Sequence, residues 1–417
     1  MRISSQQAFL TGLRPLLEGQ ANVTNLQEQI ATGKRIDTPA DDPIAMPQII
    51  ALNRQIDQLT QYESNINLAR NRLNLEETTL DSIKDSLQRV RQLAVQAGDG
   101  ALDLDSLKGI AVELNQRIEE LLGLMNTRGP DNEYIFSGYQ ANTPTFVRSP
   151  GGGFTYQGDE GQLFIPVSST LNIAASDSGK ALFDQIAVPN DFTVDAAVGN
   201  TGTGSVATSV VTDQNVYDAF HPDSAVITFS VSGGNTTYSV TRSPGGTPIN
   251  GGVPLQPLTN IPYVAGEAIA FEGIQLHIEG APADGDVFTA QSSTPQTLDV
   301  LSIVEQLANG LNTLGVGEAG NLERGELISD ALLSLDNAFT SVNGVMAQLG
   351  SRLNTLDSVE STHQEIKLFS RSTLSEVEDL DYTEAISLFT QSNFVLQAAQ
   401  QSYLQVNQLS LFNFLRS

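Results

Sequence analysis

The sequence predicts a multidomain α+β protein whose N- and C-terminal helices pair into an elongated helical bundle or coiled coil, with a β-rich domain inserted in the middle. Two apolar seams and the segment between them carry this prediction. Because helices gain most of their stability by burying an apolar face, the simplest arrangement packs the two seams against each other. The first seam repeats every seventh residue at Leu59, Ile66, Leu73, Leu80 and Leu87, is joined three places later by Tyr62, Ala69, Ile83 and Val90, and lapses at Glu76. The second runs through Ile328, Leu332, Leu335, Phe339, Val342, Met346, Leu349, Leu353 and Leu356.

The predicted domains follow from these seams. Residues 1–40 and 380–417 form terminal assembly helices, which we expect to be disordered in the free monomer. Residues 41–128 and 298–379 form a helical rod domain, and residues 129–297 form a β-rich outer domain. Whether residues 189–260 make a second β-subdomain stays open at this level.

The first helical elements have clear start and stop signals. Apolar residues at helical spacing run towards Gly33, but Pro15 interrupts them, so residues 5–14 are either kinked or a separate short helix. Asp41-Asp42-Pro43 then supplies a capping carboxylate followed by proline at a helix start. A helix from Pro47 to Ala97 extends roughly 75 Å, which is longer than a compact domain requires.

Helical spacing continues on both sides of the central segment. Gly98-Asp99-Gly100 ends the long helix, and a second apolar stripe from Leu107 to Met125 predicts a helical hairpin. Periodicity resumes from Val300 to Leu314. Asp381-Tyr382-Thr383-Glu384 resembles a capping box that opens a last helix.

The central segment is rich in Gly, Ser, Thr and Val and is broken frequently by turn residues. Proline cannot donate a ladder hydrogen bond, so a strand that contains Pro166 lies at a sheet edge. The alternation around Ile227, Phe229 and Val231 is typical of an antiparallel strand with one exposed face. The predicted strands are Leu163–Val167, Ala225–Val231, Tyr238–Val240 and Ile274–Ile278.

Composition excludes several classes of protein. The formal net charge is −27; residues 1–128 carry 13 Lys and Arg against 17 Asp and Glu, and residues 129–296 carry 3 against 16. Nucleic acid is therefore not an expected partner, because phosphate binding requires clustered basic residues. The chain shows neither an apolar run long enough for membrane insertion nor a signal-peptide core, and it contains no Cys.

Candidate chemical motifs favour structural roles. The three histidines, His221, His277 and His363, lack helical metal-ligand spacing, and His363 continues the second seam. Asp284-Gly285-Asp286 fits a tight turn better than a calcium loop. Gly151-Gly152-Gly153 fits a hairpin loop. No nucleophile motif is present, so we predict no enzyme, no catalytic residue, no cofactor and no metal.

The apolar stripes at the two ends of the chain are the strongest candidate site. Within one molecule, residues 9–30 and 386–406 can pair as an ordinary coiled coil. Between molecules, the same stripes would form a polymer core and fold on assembly. The predicted subunit-assembly residues are Phe9, Leu13, Leu16, Val23, Phe389, Leu396, Tyr403 and Val406.

Two short motifs near the ends resemble the flagellin superfamily. They are Gln29-Ile30-Ala31-Thr32-Gly33-Lys34-Arg35-Ile36 and Asp41-Asp42-Pro43, and the resemblance covers residues 1–127 and 298–417. The segments Asn132–Tyr139, Thr143–Phe146, Tyr156–Asp159, Phe271–Gly273, Gly280–Phe288 and Leu409–Leu415 resemble the hook-filament junction branch of that superfamily.

The resemblance implies a structural ring between the hook side and the flagellin filament, with paired terminal helices and an outward β-domain. Its implied partners are other copies of the chain, a hook-side junction protein, flagellin and a cytoplasmic export chaperone. It implies that the chaperone binds the C-terminal helix, with Leu409, Leu411, Phe412, Phe414 and Leu415 as its contacts. It also implies an extracellular flagellar location, reached through the flagellar type III apparatus without a cleaved signal peptide. Two alternatives stay open: a flagellin, or a surface adhesin or carbohydrate-binding module carried by the β-domain.

Overall fold

The computed structural model describes residues 5–251, 256–315 and 317–414, without the side chains of residues 5–9, 318 and 406–414. Backbone proximity divides the chain into two compact units. The first takes in the chain up to Asn67, Pro166–Leu171, and the chain from Leu356 onwards. The second comprises Leu68–Ile165 and Asn172–Thr355, so the division falls inside two long continuous helices.

The described chain contains seven α-helices, of which all but the fourth lie before or after the central β-segment. They are α1 (Ser5–Thr32), α2 (Ala45–Ala97), α3 (Leu104–Met125), α4 (Gln214–Phe220), α5 (Val300–Thr313), α6 (Gly317–Glu378) and α7 (Tyr382–Phe414). A five-residue π-helix spans Lys180–Asp184. The fold class predicted from the sequence, with helical ends around a β-rich centre, is confirmed.

The predicted helix starts are confirmed by their capping bonds. The Asp42 carboxylate accepts hydrogen bonds from the backbone N–H groups of Ile44 and Ala45, at 2.9 and 3.0 Å. The Asp381 carboxylate accepts from Thr383 and Glu384 at the start of α7. These bonds satisfy backbone donors that have no partner inside the helix.

The alternative of a separate short helix over residues 5–14 is wrong. Helix α1 is continuous from Ser5 to Thr32 and contains Pro15. An interior proline removes one backbone hydrogen bond and costs about 3 kcal/mol. We attribute the continuity to tertiary packing, because α1 packs along α7 at Gly12 and Gly19, on both sides of the proline.

In the first unit, α2 and α6 run antiparallel and join through an aromatic contact and an ion pair. The ring of Tyr62 stacks on His363 with centroids 5.6 Å apart, and Lys367 Nζ lies 2.6 Å from Glu63 Oε2. His363 is buried, and burial lowers its pKa. The seam predicted through Leu356 therefore continues one heptad further, as the sequence indicated.

In the second unit the same two helices pair over a buried seam. Leu73, Leu80 and Leu87 on α2 and Leu335, Val342 and Leu349 on α6 are all buried. Arg91 on α2 lies 3.2 Å from Asp336 on α6. Helix α3 packs along α5, and Arg89 contacts Glu113 on α3 at 2.7 Å, which confirms the predicted helical hairpin.

The lapse in the seam at Glu76 is a buried polar cluster. Glu76 is 2% exposed, and its Oε1 accepts a hydrogen bond from the backbone N–H of Asp177. Arg352 donates to both carboxylate oxygens of Asp177, at 2.6 and 3.0 Å. Burial, with a smaller contribution from the neighbouring Asp177 charge, raises the pKa of Glu76 to about 8. Glu76 is therefore mainly neutral at pH 7, which suits its place in an apolar seam.

Sixteen strands form the described part of the central segment. They are β1 (Phe146–Arg148), β2 (Phe154–Tyr156), β3 (Phe164–Pro166), β4 (Asn172–Ala174), β5 (Ile186–Ala187), β6 (Phe192–Ala196), β7 (Ser205–Val211), β8 (Ser224–Ser232), β9 (Asn235–Ser243), β10 (Asn250–Gly251), β11 (Gln256–Pro257), β12 (Ile261–Pro262), β13 (Ala268–Phe271), β14 (Ile274–Glu279), β15 (Val287–Ser292) and β16 (Thr297–Leu298). Every prediction of a strand from the sequence falls on one of them.

Two five-stranded sheets form a β-sandwich. Their strand orders are β11-β10-β13-β14-β7 and β12-β9-β8-β15-β6, and neighbouring strands run antiparallel. Ile227 and Phe229 on β8 enter a shared core with Leu276 on β14, whereas Val231 at the strand end is exposed. Both sheets contain strands from before and after residue 260, so residues 189–260 are part of one sandwich rather than a subdomain of their own.

The chain enters and leaves the sandwich through two strands that pair with each other. Strand β5 pairs with β16 through Ile186 and Leu298, and the backbone N–H of Ser293 donates to the Asp191 carbonyl at 2.8 Å. The remaining two-stranded sheets are hairpin β1-β2 around Gly151-Gly152-Gly153, as predicted, and β3-β4. In the β3-β4 sheet Pro166 lies on an edge strand, as its missing N–H requires.

The turn at Asp284-Gly285-Asp286 is held by a buried carboxylate. Asp286 is 2% exposed and accepts hydrogen bonds from the backbone N–H groups of Thr201, Gly202 and Ala283, at 2.8, 3.0 and 2.8 Å. These bonds lower its pKa, that from Ala283 most. The sequence interpretation as a turn is confirmed, and the carboxylate binds backbone rather than acting as a free ligand.

Candidate assembly surface

The terminal helices α1 and α7 form an antiparallel pair within the first unit. A Cβ atom built on Gly12 would lie 3.2 Å from Cε2 of Tyr403, and one on Gly19 would lie 3.3 Å from Cδ1 of Leu396. Both pairs of partners are seven residues apart, which is the repeat of a coiled-coil seam. Glycine at these positions lets α1 approach large side chains on α7 closely. The coiled-coil pairing that the sequence offered as an alternative is therefore present within one molecule.

This pairing covers only part of the apolar surface of the two helices. Leu10 and Leu17 on α1 are each 58% exposed, and Phe394 on α7 is 72% exposed. Val395 and Leu404 are also exposed. Exposed large apolar side chains grouped on one element are typical of interaction sites in soluble proteins.

The same element carries few charges. Arg14, Glu18 and Glu28 are the charged residues of α1, and Glu384 is the only one of α7. The remaining polar positions are mostly Gln, Asn, Ser and Thr. Interface cores are depleted of charged residues, because burying an unpaired charge is costly. The two helices as a whole are therefore poor in charge, and Arg14 is the one charged residue between exposed Leu10 and Leu17.

A set of contacts, called here the clasp, joins the segment after α1 to the end of α6 and the start of α7. Gly33 adopts φ +75°, and a Cβ there would lie 2.8 Å from the hydroxyl of Tyr382. Lys34 Nζ lies 2.5 Å from Glu378 Oε1, and this contact raises the pKa of Lys34. The Arg35 guanidinium donates to the Val377 carbonyl at 2.6 Å. Residues 29–36 thus owe their pattern to backbone geometry and to this clasp.

The second motif, Asp41-Asp42-Pro43, organises the loop into α2. The Asp41 carboxylate accepts from the backbone N–H of Asp37 and from both the N–H and the hydroxyl of Thr38. Asp42 caps α2 as described above. These bonds lower the pKa of both carboxyl groups. Both short motifs therefore position helix ends, and neither holds a reactive group.

The structure places the predicted assembly residues as follows. Leu13, Leu16 and Val23 on α1, and Phe389, Leu396 and Tyr403 on α7, are half-buried. The side chains of Phe9, Val406, Leu409, Leu411, Phe412 and Phe414 lie outside the described side chains, and Leu415 lies outside the described residues. The assembly role of these residues stays a prediction.

The prediction from the sequence did not include the more exposed apolar residues that lie beside the α1–α7 seam. Leu10 and Leu17 are seven residues apart, and Phe394 and Val395 follow Phe389 on α7. The sequence signal that could have identified them is a second apolar stripe beside the first. A pair of helices needs only one apolar stripe on each helix, so a second stripe indicates a further contact. The residues left over from that seam are the ones the structure exposes.

No metal or membrane site emerges from the part of the chain that the structure describes. Within residues 5–251, 256–315 and 317–414, no three His, Asp or Glu side chains are grouped as metal ligands. Over the same ranges, none of the helices combines the length and apolar character that crossing a bilayer requires.

Comparisons with known proteins define the class. The model of the bacterial flagellin N-terminal helical region matches residues 3–141, and that of the C-terminal helical region matches residues 332–415. Together they cover just over half of the chain. These are the two segments that contain α1–α3 and most of α6 with α7. The class is therefore that of structural proteins of the bacterial flagellum.

Relatives over the full length specify the branch. Flagellar hook-associated protein 3 of Escherichia coli (strain K12) is 24% identical over 412 residues, 99% of each chain. A crystal structure of flagellar hook-associated protein 3 from Legionella pneumophila is 28% identical with a TM-score of 0.59, covering 79% of this chain and 98% of that one. A structure of the flagellar junction protein FlgL from the same species is 28% identical with a TM-score of 0.57, covering 80% and 100%. The chain belongs to the flagellin superfamily and, within it, to the family of flagellar hook-associated protein 3.

Proposed function

We propose that this chain forms a ring at the hook-filament junction, between a hook-side junction protein and the first flagellin subunits, and so allows the filament to assemble. The observation that carries the proposal is that the charge-poor α1–α7 pair leaves large apolar side chains exposed, among them Leu10, Leu17 and Phe394. Burial of apolar area at about 25 cal/mol per Å² is the main driving force for association. Neighbouring subunits would supply that burial.

The proposed neighbours are other copies of the chain, the hook-side junction protein and flagellin. Before assembly, a cytoplasmic export chaperone would cover the C-terminal segment from Leu409 to Leu415. Export would proceed through the flagellar type III apparatus without a cleaved signal peptide. The net charge of −27 would keep unassembled copies of the chain apart until they are incorporated.

In this proposal the terminal helices become ordered on assembly. Limited proteolysis of a verified monomer should then trim both ends to a core near residues 40–375. Ends that resist protease in the monomer would show that intramolecular pairing alone holds α1 and α7.

The central test is deletion of the gene followed by electron microscopy of the cells. We expect hooks without filaments and flagellin shed into the medium, with filaments restored by the wild-type gene. Normal filaments in the deletion strain would refute the junction function. If purified protein elongates long filaments from seeds, the chain is a flagellin instead.

The surface itself is tested by polar substitution in the complemented strain. Leu17→Ser and Phe394→Ser remove exposed apolar side chains from α1 and α7. Val198→Ser, in the loop after β6, is a matched control because Val198 is fully exposed. We expect filament loss from the first two variants only. An equal effect of all three would show that the outer face has no special role.

A further inference from the structure

The β-sandwich is bonded to helix α6 through a carboxyl group. The backbone N–H of Val211, the last residue of β7, donates to Glu326 Oε1 at 2.7 Å. Among the residues that the structure describes, no other hydrogen bond or ion pair joins residues 189–296 to α6. Strand β5, at the entry to the sandwich, is held on α6 because Asn337 Nδ2 donates to the Ala187 carbonyl at 2.8 Å. The sandwich is therefore fixed at its entry strand, and beyond that strand a single hydrogen bond joins it to α6.

Further carboxyl groups surround this hydrogen bond. Glu323, Glu326 and Asp330 are spaced by three and four residues, so they lie along one side of α6. Asp330 lines a pocket of about 280 Å³ between α5, α6 and the entry to the sandwich. Asp191 lines the same pocket from the sandwich side. Four carboxyl groups are therefore gathered where the sandwich approaches the helix.

No basic side chain balances these carboxyl groups. The described lining of the pocket contains no Lys, Arg or His, and α5 contributes only the uncharged Ile303, Gln306 and Leu307. On the elements packed beside the pocket, the titratable groups are His221, Asp213, Asp218 and Asp336. His221 Nε2 lies 2.9 Å from the Ser293 carbonyl oxygen, and Asp336 is paired with Arg91 at 3.2 Å. The carboxyl groups around Glu326 are left without a counter-charge.

These surroundings favour the protonated form of the carboxyl groups. Burial, the largest cause, raises the pKa of Glu326 from 4.5 to about 7; the Val211 hydrogen bond lowers it, and the charges of Asp330 and Asp191 add to the rise. Burial and the Asp191 charge raise the pKa of Asp330 from 3.8 to about 7. If the sandwich moved off α6, water would return both groups to their ordinary values. Docking of the sandwich on α6 is then favoured most below those ordinary values and weakens as pH rises through 7, by on the order of a hundredfold between pH 5.5 and 8.

We propose that the β-sandwich is attached by a pH-sensitive hinge: it docks on α6 while Glu326 and Asp330 are protonated, and it moves away on strands β5 and β16 when both are ionised. The ionised groups would lie beside Asp191 without a cation, so separation restores water to each charge and increases the distance between charges. The inference goes beyond the junction function, because it concerns the orientation of the sandwich and not the ends of the chain.

The absence of cysteine from the chain allows spin labels to be placed at chosen pairs of positions. Val198→Cys, in the loop after β6, and Val95→Cys, on α2, replace exposed residues and together report the distance between the sandwich and the helices. Val95→Cys with Val112→Cys on α3 is the matched control, because both positions are exposed and lie on helices. Each doubly labelled full-length chain is measured by double electron–electron resonance at pH 5.5 and pH 8.

We expect the sandwich–helix distances to form one narrow distribution at pH 5.5, and to broaden and extend to longer distances at pH 8. In the variant Glu326→Gln, Asp330→Asn the distribution should stay narrow at both pH values, because neither amide ionises and glutamine keeps an acceptor for Val211. Equal wild-type distributions at the two pH values, or broadening that survives in the variant, would overturn the inference. Broadening of the helix–helix control at pH 8 would also overturn it, since the whole unit would then be loosening.

Amide hydrogen exchange tests the hinge in the wild-type chain without any variant. Val211 is paired with Ile274 at the edge of its sheet, and its N–H bonds to Glu326. The amide of Ile227, in the middle of β8, is the reference for the general effect of pH on exchange. The ratio of the Val211 rate to the Ile227 rate should rise roughly tenfold or more from pH 5.5 to pH 8. A constant ratio would refute the proposed movement.

Discussion

Arg352 on α6 holds the carboxylate of Asp177 with two hydrogen bonds, at 2.6 and 3.0 Å, and Asp177 in turn donates its backbone N–H to Glu76 on α2. Three residues that are far apart in sequence thus meet inside an otherwise apolar seam. Arg352 and Asp177 are both mostly buried, so each stabilises the fold mainly by neutralising the charge of the other. If one partner is removed, the other is left as an unpaired charge in the protein interior, which solvates charge poorly.

Arg352→Met should therefore destabilise the second unit by about 3–5 kcal/mol, because it leaves a buried carboxylate without its cation. Urea unfolding of the full chain, followed by circular dichroism, measures the loss. Glu76→Gln is the matched control, since the neutral amide replaces an already neutral acid. A small effect of Arg352→Met, similar to that of Glu76→Gln, would contradict this account.

Stability should fall as pH rises from about 5.5 to 8. Burial, the largest cause, raises the pKa of Glu326 and of Asp330 to about 7, helped by the charge of Asp191 nearby, and that of Glu76 lies at about 8. A carboxyl group with a raised pKa stabilises the fold fully below its unfolded-state pKa, and this contribution is lost as pH rises through the folded-state pKa. Asp42 and Asp286 have lowered pKa values, so their contribution is lost only at lower pH.

We expect the melting temperature to drop by roughly 3 °C or more across that window, the shift that about 1 kcal/mol produces in a domain of this size. The combined variant Glu76→Gln, Glu326→Gln, Asp330→Asn should flatten the profile. Glu326 also accepts the Val211 backbone N–H at 2.7 Å, a bond that glutamine retains. A wild-type melting temperature that rises between pH 5.5 and 8 would refute the raised pKa values of these three carboxyl groups.

Gly19→Leu should prevent close packing of α1 on α7. Even a methyl group there would lie 3.3 Å from Leu396, and overpacking a fitted seam costs about 1–3 kcal/mol. Incorporation into the flagellum, measured by immunoblot of sheared hook-filaments, should drop severalfold. Gly109→Ala on α3 is the control, because its Cβ meets nothing within 4 Å and alanine favours helix. Wild-type incorporation of Gly19→Leu would show that α1 and α7 separate in the assembled state.

Asp286→Ala should loosen the sandwich loops more than Asp284→Ala does. The first removes an acceptor shared by three backbone N–H groups, whereas Asp284 accepts from one backbone N–H, that of Val231, and from one exposed hydroxyl. A buried donor left without a partner is expensive. Hydrogen exchange at Thr201, Gly202 and Ala283 should accelerate at least tenfold in Asp286→Ala. Equal exchange in both variants would disprove the difference.

The long helices were predictable because their signal is local and repeated. A seam at every seventh residue identifies α2 and α6 without knowledge of the partner, and Asp42 marks the start of α2 through bonds to its own neighbours. The same locality explains the strands that were predicted correctly, such as β8. Alternation along a strand requires no information about which strand lies beside it.

The remaining features depend on contacts between distant residues. Glu76 interrupts the apolar seam of α2 in the sequence. Its partner Asp177 and the Arg352 that binds Asp177 are both distant from it in the chain, so the sequence alone could not explain the interruption. The order β13-β14-β7 joins strands from the two ends of the sandwich. Pro15 predicted an interruption because local propensity opposes a helix there, whereas packing against α7 sustains it. The stripe with Leu10 and Leu17 was not predicted to be exposed, because the neighbouring seam of α1 already accounted for its pairing with α7.

The neck formed by β5 and β16 makes the sandwich an exchangeable cassette. Its chain enters near Ile186 and leaves near Leu298 through strands that are paired with each other, so the termini of a replacement must also lie close together. The helices that carry the family signature lie outside this cassette in sequence. We therefore expect a foreign domain with closely spaced termini to fit in place of residues 188–296, provided that Glu326 on α6, which accepts the Val211 N–H, gains another partner.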